Sequence, residues 1–148
     1  MKNEIDESTI DFYRCEVCGN LIVKLNDSGI CPQCCGRDMV KLTPNEKDDA
    51  DLEKHVPVWM MDGCKLVIQV GSEDHPMTPE HYIQWIVVKT NLGIHAKHLT
   101  PDDAPSACFK FCKGEEPLTI YEYCNIHGLW MSSKEDADHE CPLCRFGN

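Results

Sequence analysis

Short stretches of alternating apolar and polar residues follow one another along the chain after about residue 52. One face of each stretch carries the apolar residues: Cys64, Leu66, Ile68 and Val70; His81, Ile83, Trp85 and Val87; Ala107, Phe109 and Phe111. An alternation of period two is typical of strands with one buried face. Gly, Pro and Asn separate the stretches, and no segment has helical periodicity. The pattern predicts an all-β fold, with an immunoglobulin-like β-sandwich over residues 52–131.

The first 42 residues differ, because cysteines interrupt their short apolar stretches. Leu21 to Leu25 is a predicted strand, and Asn26-Asp27-Ser28-Gly29 is a predicted hairpin turn. A unit of about 40 residues buries too little apolar surface to fold unaided and usually needs a metal or disulfides. The cysteines supply the metal option, so residues 1–42 are predicted to form a small metal-stabilised domain.

Cysteine spacing leaves two ligand sets open for this domain. Cys15 and Cys18, followed by Gly19, form a metal-binding knuckle. Three cysteines compete for the other two positions. Cys31 with Cys34 would give a symmetric double knuckle, whereas adjacent Cys34 and Cys35 would distort the tetrahedron. Four thiolates accept either iron or zinc.

Two further segments complete the predicted domain organisation. Residues 43–51 are polar and charged with one proline, which is typical of a linker. Residues 132–148 form an acidic tail with a further Cys-x-x-Cys pair, Cys141 and Cys144. One such pair cannot close a tetrahedral site alone, so it could contribute to an extra metal site, act as a redox dithiol, or stay unpaired.

Charge and cysteine content narrow the function classes. The 148 residues carry a formal net charge of −11, which disfavours nucleic acid and anionic membrane surfaces as partners. No apolar run approaches a membrane span, and the N-terminus lacks the apolar core of a signal peptide. Eleven cysteines is an odd count that a secreted disulfide framework would not favour. We therefore expect a soluble, cytoplasmic protein with reduced thiols.

Candidate metal ligands cluster in three short stretches of the predicted sandwich. The stretches contain Glu53-Lys54-His55, His75-Pro76 with Glu80-His81, and Cys124-Asn125-Ile126-His127-Gly128. Together they supply four histidines and one cysteine, side chains that bind first-row transition metals. Structural zinc sites are closed tetrahedra, whereas five ligands leave one octahedral position open. The set predicts a redox-active iron site with room for a small molecule.

The remaining histidines and cysteines have simpler interpretations. A lone histidine in a small domain is usually a surface or half-buried residue, and we expect this of His95, His98 and His139. Cys108 and Cys112 would lie about 13 Å apart in one strand, at about 3.3 Å per residue, which is too far to share a metal. We expect them to be buried or edge thiols, and Cys64 to lie in the core.

The three ligand stretches resemble the catalytic iron site of superoxide reductase. The Cys15-x-x-Cys18 and Cys34-Cys35-Gly36 motifs resemble the desulforedoxin domain of the two-iron form, desulfoferrodoxin. The resemblance runs from about Phe12 to Trp130. It implies a desulforedoxin-like domain followed by a neelaredoxin-like catalytic domain. The implied catalytic iron has His55, His75, His81 and His127 as equatorial ligands and Cys124 as the axial thiolate; the implied second iron is bound by Cys15, Cys18, Cys34 and Cys35, with zinc and Cys31 as alternatives.

The resemblance also implies an activity. Superoxide reductases are oxidoreductases that detoxify superoxide by one-electron reduction to hydrogen peroxide at a mononuclear non-haem iron, without producing oxygen. Lys54 would attract superoxide and support protonation, and Glu53 would cap the ferric iron at rest. A rubredoxin-type electron donor and a homodimer are expected from the family. Two other classes stay open on the residues alone, an electron-transfer iron protein and a non-enzymatic zinc-binding module.

Overall fold

The computed structural model describes residues 8–45, 52–71 and 75–134, apart from the side chains of Leu52 and Glu53. The chain divides into two compact units, residues 1–43 and 44–148. The described part is built almost entirely from antiparallel strands, which confirms the predicted all-β class. Its single helix has four residues, and none of the described segments offers a helix with the length and hydrophobicity that a membrane crossing requires.

The N-terminal unit consists of two small sheets. Its strands are β1 (Phe12–Arg14), β2 (Leu21–Val23), β3 (Gln33–Cys34), β4 (Arg37–Asp38) and β5 (Val40–Lys41). A three-stranded sheet has the order β2-β1-β5, and β3 pairs with β4 in a two-stranded hairpin. Among the described residues 8–43 of this unit, the buried apolar side chains are Phe12, Cys15 and Met39. So small a core agrees with the expectation that a bound metal stabilises these residues.

Within the described residues, the second unit is a sandwich of seven strands preceded by one helical turn. The elements are α1 (Leu52–His55), β6 (Pro57–Asp62), β7 (Lys65–Val70), β8 (Ile83–Thr90), β9 (Ile94–His98), β10 (Ser106–Lys110), β11 (Pro117–Cys124) and β12 (Gly128–Ser133). One sheet has the order β10-β7-β6 and the other β12-β11-β8-β9. Strand β12 runs to Ser133, two residues past the predicted end of the sandwich.

The core lies between the two sheets. It contains Leu66, Ile68, Val70, Ile83, Ile86, Val88, Leu99, Ala107, Phe111, Ile120 and Cys124. The predicted apolar faces of β7 and β10 are therefore confirmed. Cys64 is a correction, because it is exposed rather than buried. It belongs to the turn before β7, which begins at Lys65, and so never enters the sheet.

Strand β8 departs from the predicted alternation. His81, Ile83, Trp85 and Val87 were expected on one face, but Ile83 lies in the core with Ile86 and Val88. The pairing with β11 shifts by one residue here, since Tyr123 pairs with Trp85 and Cys124 with Ile83. The extra residue in β8 forms a bulge, which turns the following side chains to the opposite face.

The one-turn helix α1 is also a correction, because no helical segment was predicted in the chain. The helix ends at His55, just before Val56 and the Pro57 that begins β6. A residue that precedes proline disfavours helical backbone, which explains why the helix stops there. Four residues are too few to show an apolar period, so the sequence pattern contains no signal for this turn.

Candidate metal centre

One end of the sandwich carries the five predicted ligands. His55 ends α1, His75 and His81 lie between β7 and β8, Cys124 ends β11, and His127 lies in the turn to β12. Their ligand atoms all lie within 4.8 Å of one another. The antiparallel pairing explains this convergence, because Pro57 pairs with Val70 and Ile83 with Cys124 at the same end.

The four imidazoles form a closed ring. Neighbouring ring centroids are separated by 4.6 Å for His55–His75, 4.7 Å for His75–His81, 4.9 Å for His81–His127 and 4.6 Å for His127–His55. Each neighbouring pair meets edge to face, with interplanar angles of 70°, 82°, 64° and 69° in the same order. The rings therefore surround one point, as four ligands in a plane around a metal would.

The nitrogen atoms that face this centre can be identified from their separations. His55 Nε2 lies 2.9 Å from His75 Nε2, and His81 Nε2 lies 3.2 Å from His127 Nδ1. Cys124 Sγ lies 3.7 Å from His127 Nδ1. The donor set thus consists of three Nε2 atoms, one Nδ1 atom and one sulfur, which exceeds the four ligands of a structural zinc site.

His75 is prepared for metal binding by its surroundings. Its Nδ1 donates a hydrogen bond to the carbonyl oxygen of Pro76 at 2.6 Å, which leaves the Nε2 lone pair directed at the centre. Burial lowers the pKa of His75 to about 4. The imidazole is therefore neutral at pH 7, and neutral imidazole is the form that binds metals.

Trp130 supports two ligand residues and was not identified from the sequence. Its ring stacks on His55 at 4.9 Å with an interplanar angle of 17°. Its Nε1 donates a hydrogen bond to the carbonyl oxygen of His127 at 3.2 Å. Trp130 is fully buried, so both contacts are shielded from water. The sequence indicates that a tryptophan in a strand is buried, but it does not indicate which residues its ring will contact.

Glu122 is a second residue that the sequence did not single out. It lies two residues before Cys124 in β11, is fully buried, and neither carboxylate oxygen has a hydrogen-bond partner within the described part of the chain. Burial raises the pKa of its carboxyl well above the usual value. A buried carboxyl without a hydrogen-bond partner among the described residues therefore lies two positions before Cys124 in the same strand.

The residues around His55 are described only in part. Lys54 is exposed, in the last turn of α1. The side chain of Glu53, the other predicted charged group, lies outside the described residues. A helical turn rotates successive side chains by about 100°, so Lys54 reaches solvent while His55 is buried.

Cys15, Cys18, Cys34 and Cys35 form the second cluster, with all four sulfurs within 4.8 Å of one another. Cys18 Sγ lies 3.6 Å from Cys34 Sγ, which lies 3.9 Å from Cys35 Sγ. Cys31 is not part of the cluster. Its sulfur contacts the carbonyl oxygens of Pro32 and Met39, at 3.5 and 3.4 Å. Of the two predicted sets, the structure therefore brings together the one with the adjacent cysteines.

Backbone geometry explains how this cluster forms. The amide of Gly19 donates to the carbonyl of Cys15 at 2.9 Å, and Gly19 has a φ of +81° that favours glycine. Cys35 also has a positive φ, 52°, which turns its side chain toward that of Cys34.

The pKa values of the thiols are shifted by their neighbours in the cluster. A hydrogen bond from the Cys18 amide lowers the pKa of Cys15 to about 6, and interaction with the side chain of Cys18 raises the pKa of Cys35 to about 12. Four thiolates can share this volume only around a cation, so the cluster fits a metal ion.

Other predicted residues lie away from both clusters. Cys108 and Cys112 are exposed, and Cys108 is on the edge strand β10. His98 is exposed, whereas His95 is half-buried and pairs with Glu115. His139, Cys141 and Cys144 lie outside the described residues.

Comparison with known proteins agrees with this geometry. The desulfoferrodoxin family model matches residues 47–133, and the model of the desulfoferrodoxin N-terminal domain matches residues 7–42. The chain is 43% identical over 123 residues to desulfoferrodoxin of Syntrophotalea carbinolica. The aligned residues make up 83% of this chain and 95% of that protein. It is 38% identical over 95 residues to superoxide reductase of Pyrococcus abyssi, covering 53% of this chain and 83% of that protein.

A solved structure extends the likeness to both units. The crystal structure of the superoxide reductase from Treponema pallidum superposes with a TM-score of 0.72 at 32% identity, covering 84% of this chain and 98% of that chain. Both family models, the curated relatives and the solved fold point to one family. The chain therefore belongs to the desulfoferrodoxin family.

Proposed function

We propose that this chain is a superoxide reductase with two iron sites. The observation that carries the proposal is the closed ring of four imidazoles with one cysteine sulfur beside it. The proposed ligands of the catalytic iron are His55, His75, His81, Cys124 and His127; those of the second iron are Cys15, Cys18, Cys34 and Cys35.

The donor set supports a site that keeps one position open. Octahedral iron with these five ligands has a sixth position for a small molecule. Cys124 is fully buried, whereas His81 and His127 are half-exposed. If iron is held by these residues, we expect superoxide to reach it past the half-exposed His81 and His127 rather than past the buried Cys124. The chemistry that iron supplies when bound is the transfer of one electron to superoxide, which with two protons gives hydrogen peroxide and no oxygen.

Lys54 is proposed to guide superoxide to the site. The net charge of −11 repels an anion at long range, but salt screens charges beyond about 8 Å. An exposed ammonium group on the residue next to His55 can therefore attract the anion locally despite the net charge. The same ammonium can hold a water molecule near the open position and so support proton delivery. Glu53 is proposed, from the family resemblance, to cap the metal at rest.

The partners are proposals as well. A reductase consumes one electron for each superoxide, and from the family resemblance we infer that a rubredoxin-type protein supplies it after each turnover. We also propose a homodimer formed through the N-terminal unit, which is supported by its exposed apolar side chains Val17, Ile22, Leu25, Ile30 and Val40. A cytoplasmic location is consistent with thiols kept reduced for metal binding.

The experiment uses the full-length chain prepared without oxygen and reduced. Superoxide is generated beside it while iron content and the visible sulfur-to-ferric absorption are followed, with Cys124→Ser as the control. We expect the wild-type ferrous centre to oxidise rapidly and to gain a sulfur-to-ferric band that the variant lacks. A centre closed to azide that relays electrons without reacting with superoxide would instead indicate an electron-transfer protein. A colourless, iron-free chain would indicate a zinc-binding module.

A further inference from the structure

Asn125 connects the two segments that carry three of the ligands. It follows Cys124, and its side chain reaches the segment around His81. Its Oδ1 accepts a hydrogen bond from the amide of Tyr82 at 2.9 Å, and its Nδ2 donates to the carbonyl of Glu80 at 2.9 Å. Its own amide also donates to the carbonyl of Tyr82 at 3.3 Å. The three hydrogen bonds therefore hold the backbone on both sides of His81.

This connection begins where the sheet ends. The last pair of the β8–β11 ladder is Ile83 with Cys124, so ladder hydrogen bonds do not reach His81 or His127. Thr78 forms a reciprocal backbone pair with His81, at 3.0 and 3.1 Å, but this local turn does not reach the Cys124 loop. Beyond the last pair of the ladder, the hydrogen bonds of Asn125 join the two ligand segments directly.

We propose that Asn125 is a positioning residue that holds His81 and the Cys124–His127 loop as one unit, so that the donor ring is formed before the metal enters. The inference rests on the proposed function only in assuming that this ring binds iron. Asn125 touches neither substrate nor metal in this account. A ring formed in advance lowers the entropy lost on metal binding and slows dissociation, because a single ligand cannot swing away alone.

The chain contains a matched control at the other end of the sandwich. Asn91 accepts from the amide of Glu116 at 2.7 Å, donates from Nδ2 to the carbonyl of Gly114 at 2.9 Å, and donates from its amide to the carbonyl of Glu116 at 3.2 Å. It holds the backbone on both sides of Glu115 in the way that Asn125 holds the backbone on both sides of His81. Asn91 follows the last residue of β8, where no predicted ligand lies. Replacing it by alanine removes the two equivalent side-chain hydrogen bonds and keeps the one from the backbone amide, without affecting the ring.

The test compares full-length Asn125→Ala, Asn125→Asp and Asn91→Ala with the wild type, all loaded with ferrous iron without oxygen. Iron release to a chelator is timed, and the visible bands after oxidation separate the His-rich site from the four-cysteine site. We expect both alanine variants to unfold at a lower temperature. Of these two alanine variants, Asn125→Ala alone should release iron from the His-rich site faster, by about 10- to 100-fold. The four-cysteine site should be unaffected in every variant.

Asn125→Asp separates positioning from folding. The aspartate retains the acceptor for the Tyr82 amide but loses the donor to Glu80, so its release rate should lie between those of the wild type and Asn125→Ala. If Asn125→Ala fails to fold, the aspartate variant decides the question. Release rates equal to those of Asn91→Ala would overturn the inference. A wild type without iron in the His-rich site, or inert to superoxide, would instead contradict the proposed function.

Discussion

The Nε2 atoms of His55 and His75 lie 2.9 Å apart, although the residues are 20 positions apart in the chain. Both side chains are buried. Two imidazole nitrogens can be this close when they share a proton or converge on one cation. Since Nδ1 of His75 already donates to Pro76, its Nε2 is the free acceptor and is held in place for the metal.

Replacing His75 by alanine should remove iron from the His-rich site and leave the four-cysteine site intact. One of the five donors is lost, and the neighbouring nitrogen of His55 loses its partner. Iron content per chain should fall by about half, and superoxide reduction should disappear. Iron analysis with visible spectroscopy checks this, with His98→Ala as the control because His98 is exposed on β9. An unchanged iron content in His75→Ala would count against the assigned ligand set.

Lys54→Ala should slow superoxide capture without releasing iron. Electrostatic steering by a local charge changes association rates by 10-fold or more, so we expect roughly a 10-fold lower rate at low salt and a weaker dependence on salt. Pulse radiolysis at several ionic strengths measures both quantities. Lys110→Ala is the control, because this exposed lysine ends β10 at the opposite end of the sandwich. Equal rates for the two variants would exclude a steering role for Lys54.

Cys31→Ser and Cys35→Ser should differ in the N-terminal metal site. The sulfur of Cys35 lies in the four-cysteine cluster, whereas that of Cys31 contacts backbone carbonyls. The Cys35 variant should lose the metal or bind it weakly, and the Cys31 variant should retain it. Metal analysis and the four-thiolate absorption bands distinguish the two outcomes. Metal loss from Cys31→Ser alone would restore the alternative with two symmetric knuckles.

Glu115→Gln should destabilise the sandwich in a pH-dependent way. Glu115 Oε2 accepts from Thr90 Oγ1 at 2.7 Å and lies 2.9 Å from His95 Nε2, while Oε1 accepts from the Cys112 amide at 3.1 Å. The hydrogen bond from Thr90 is the main cause of a lowered pKa for this carboxyl. A carboxyl with a lowered native pKa stabilises the fold at pH values above its ordinary value of 4.5, and that stabilisation is lost as the pH falls through the native pKa.

The measurement is urea unfolding of both proteins at pH 7 and at about pH 3. At pH 7 the variant should have a free energy of unfolding lower by about 1–2 kcal/mol, in line with hydrogen bonds to a charged group. The difference should shrink toward the lower pH. A gap that stays constant between the two pH values would mean that the charge of Glu115 contributes nothing.

The residues of the two candidate metal sites could be predicted from the sequence because metal binding constrains residue type and local spacing. His75-Pro76 and Cys124-x-x-His127 are readable as motifs, and the strand alternation predicts an all-β sandwich. The choice of Cys34 and Cys35 over Cys31 needed the family resemblance, because spacing allows both. In the structure the sulfur of Cys35 lies with those of the other three cysteines, whereas the sulfur of Cys31 contacts backbone carbonyls.

Features that depend on contacts between distant segments could not be predicted. The bulge in β8 arises from its register with β11, and the stacking of Trp130 on His55 joins residues far apart in the chain. The proposed role of Asn125 depends on where the pairing of β8 with β11 ends, and the local sequence does not indicate that position. Glu122 gives no signal either, since a glutamate in a strand is ordinarily expected to face solvent.

The most direct test of the central claim is the product stoichiometry of the reduced full-length protein. A known amount of superoxide is added without oxygen while an excess of electron donor is present, and hydrogen peroxide and oxygen are both measured. We expect one hydrogen peroxide for each superoxide consumed and no oxygen. Oxygen produced in equal amount to hydrogen peroxide, or superoxide decaying no faster than without the protein, would contradict it.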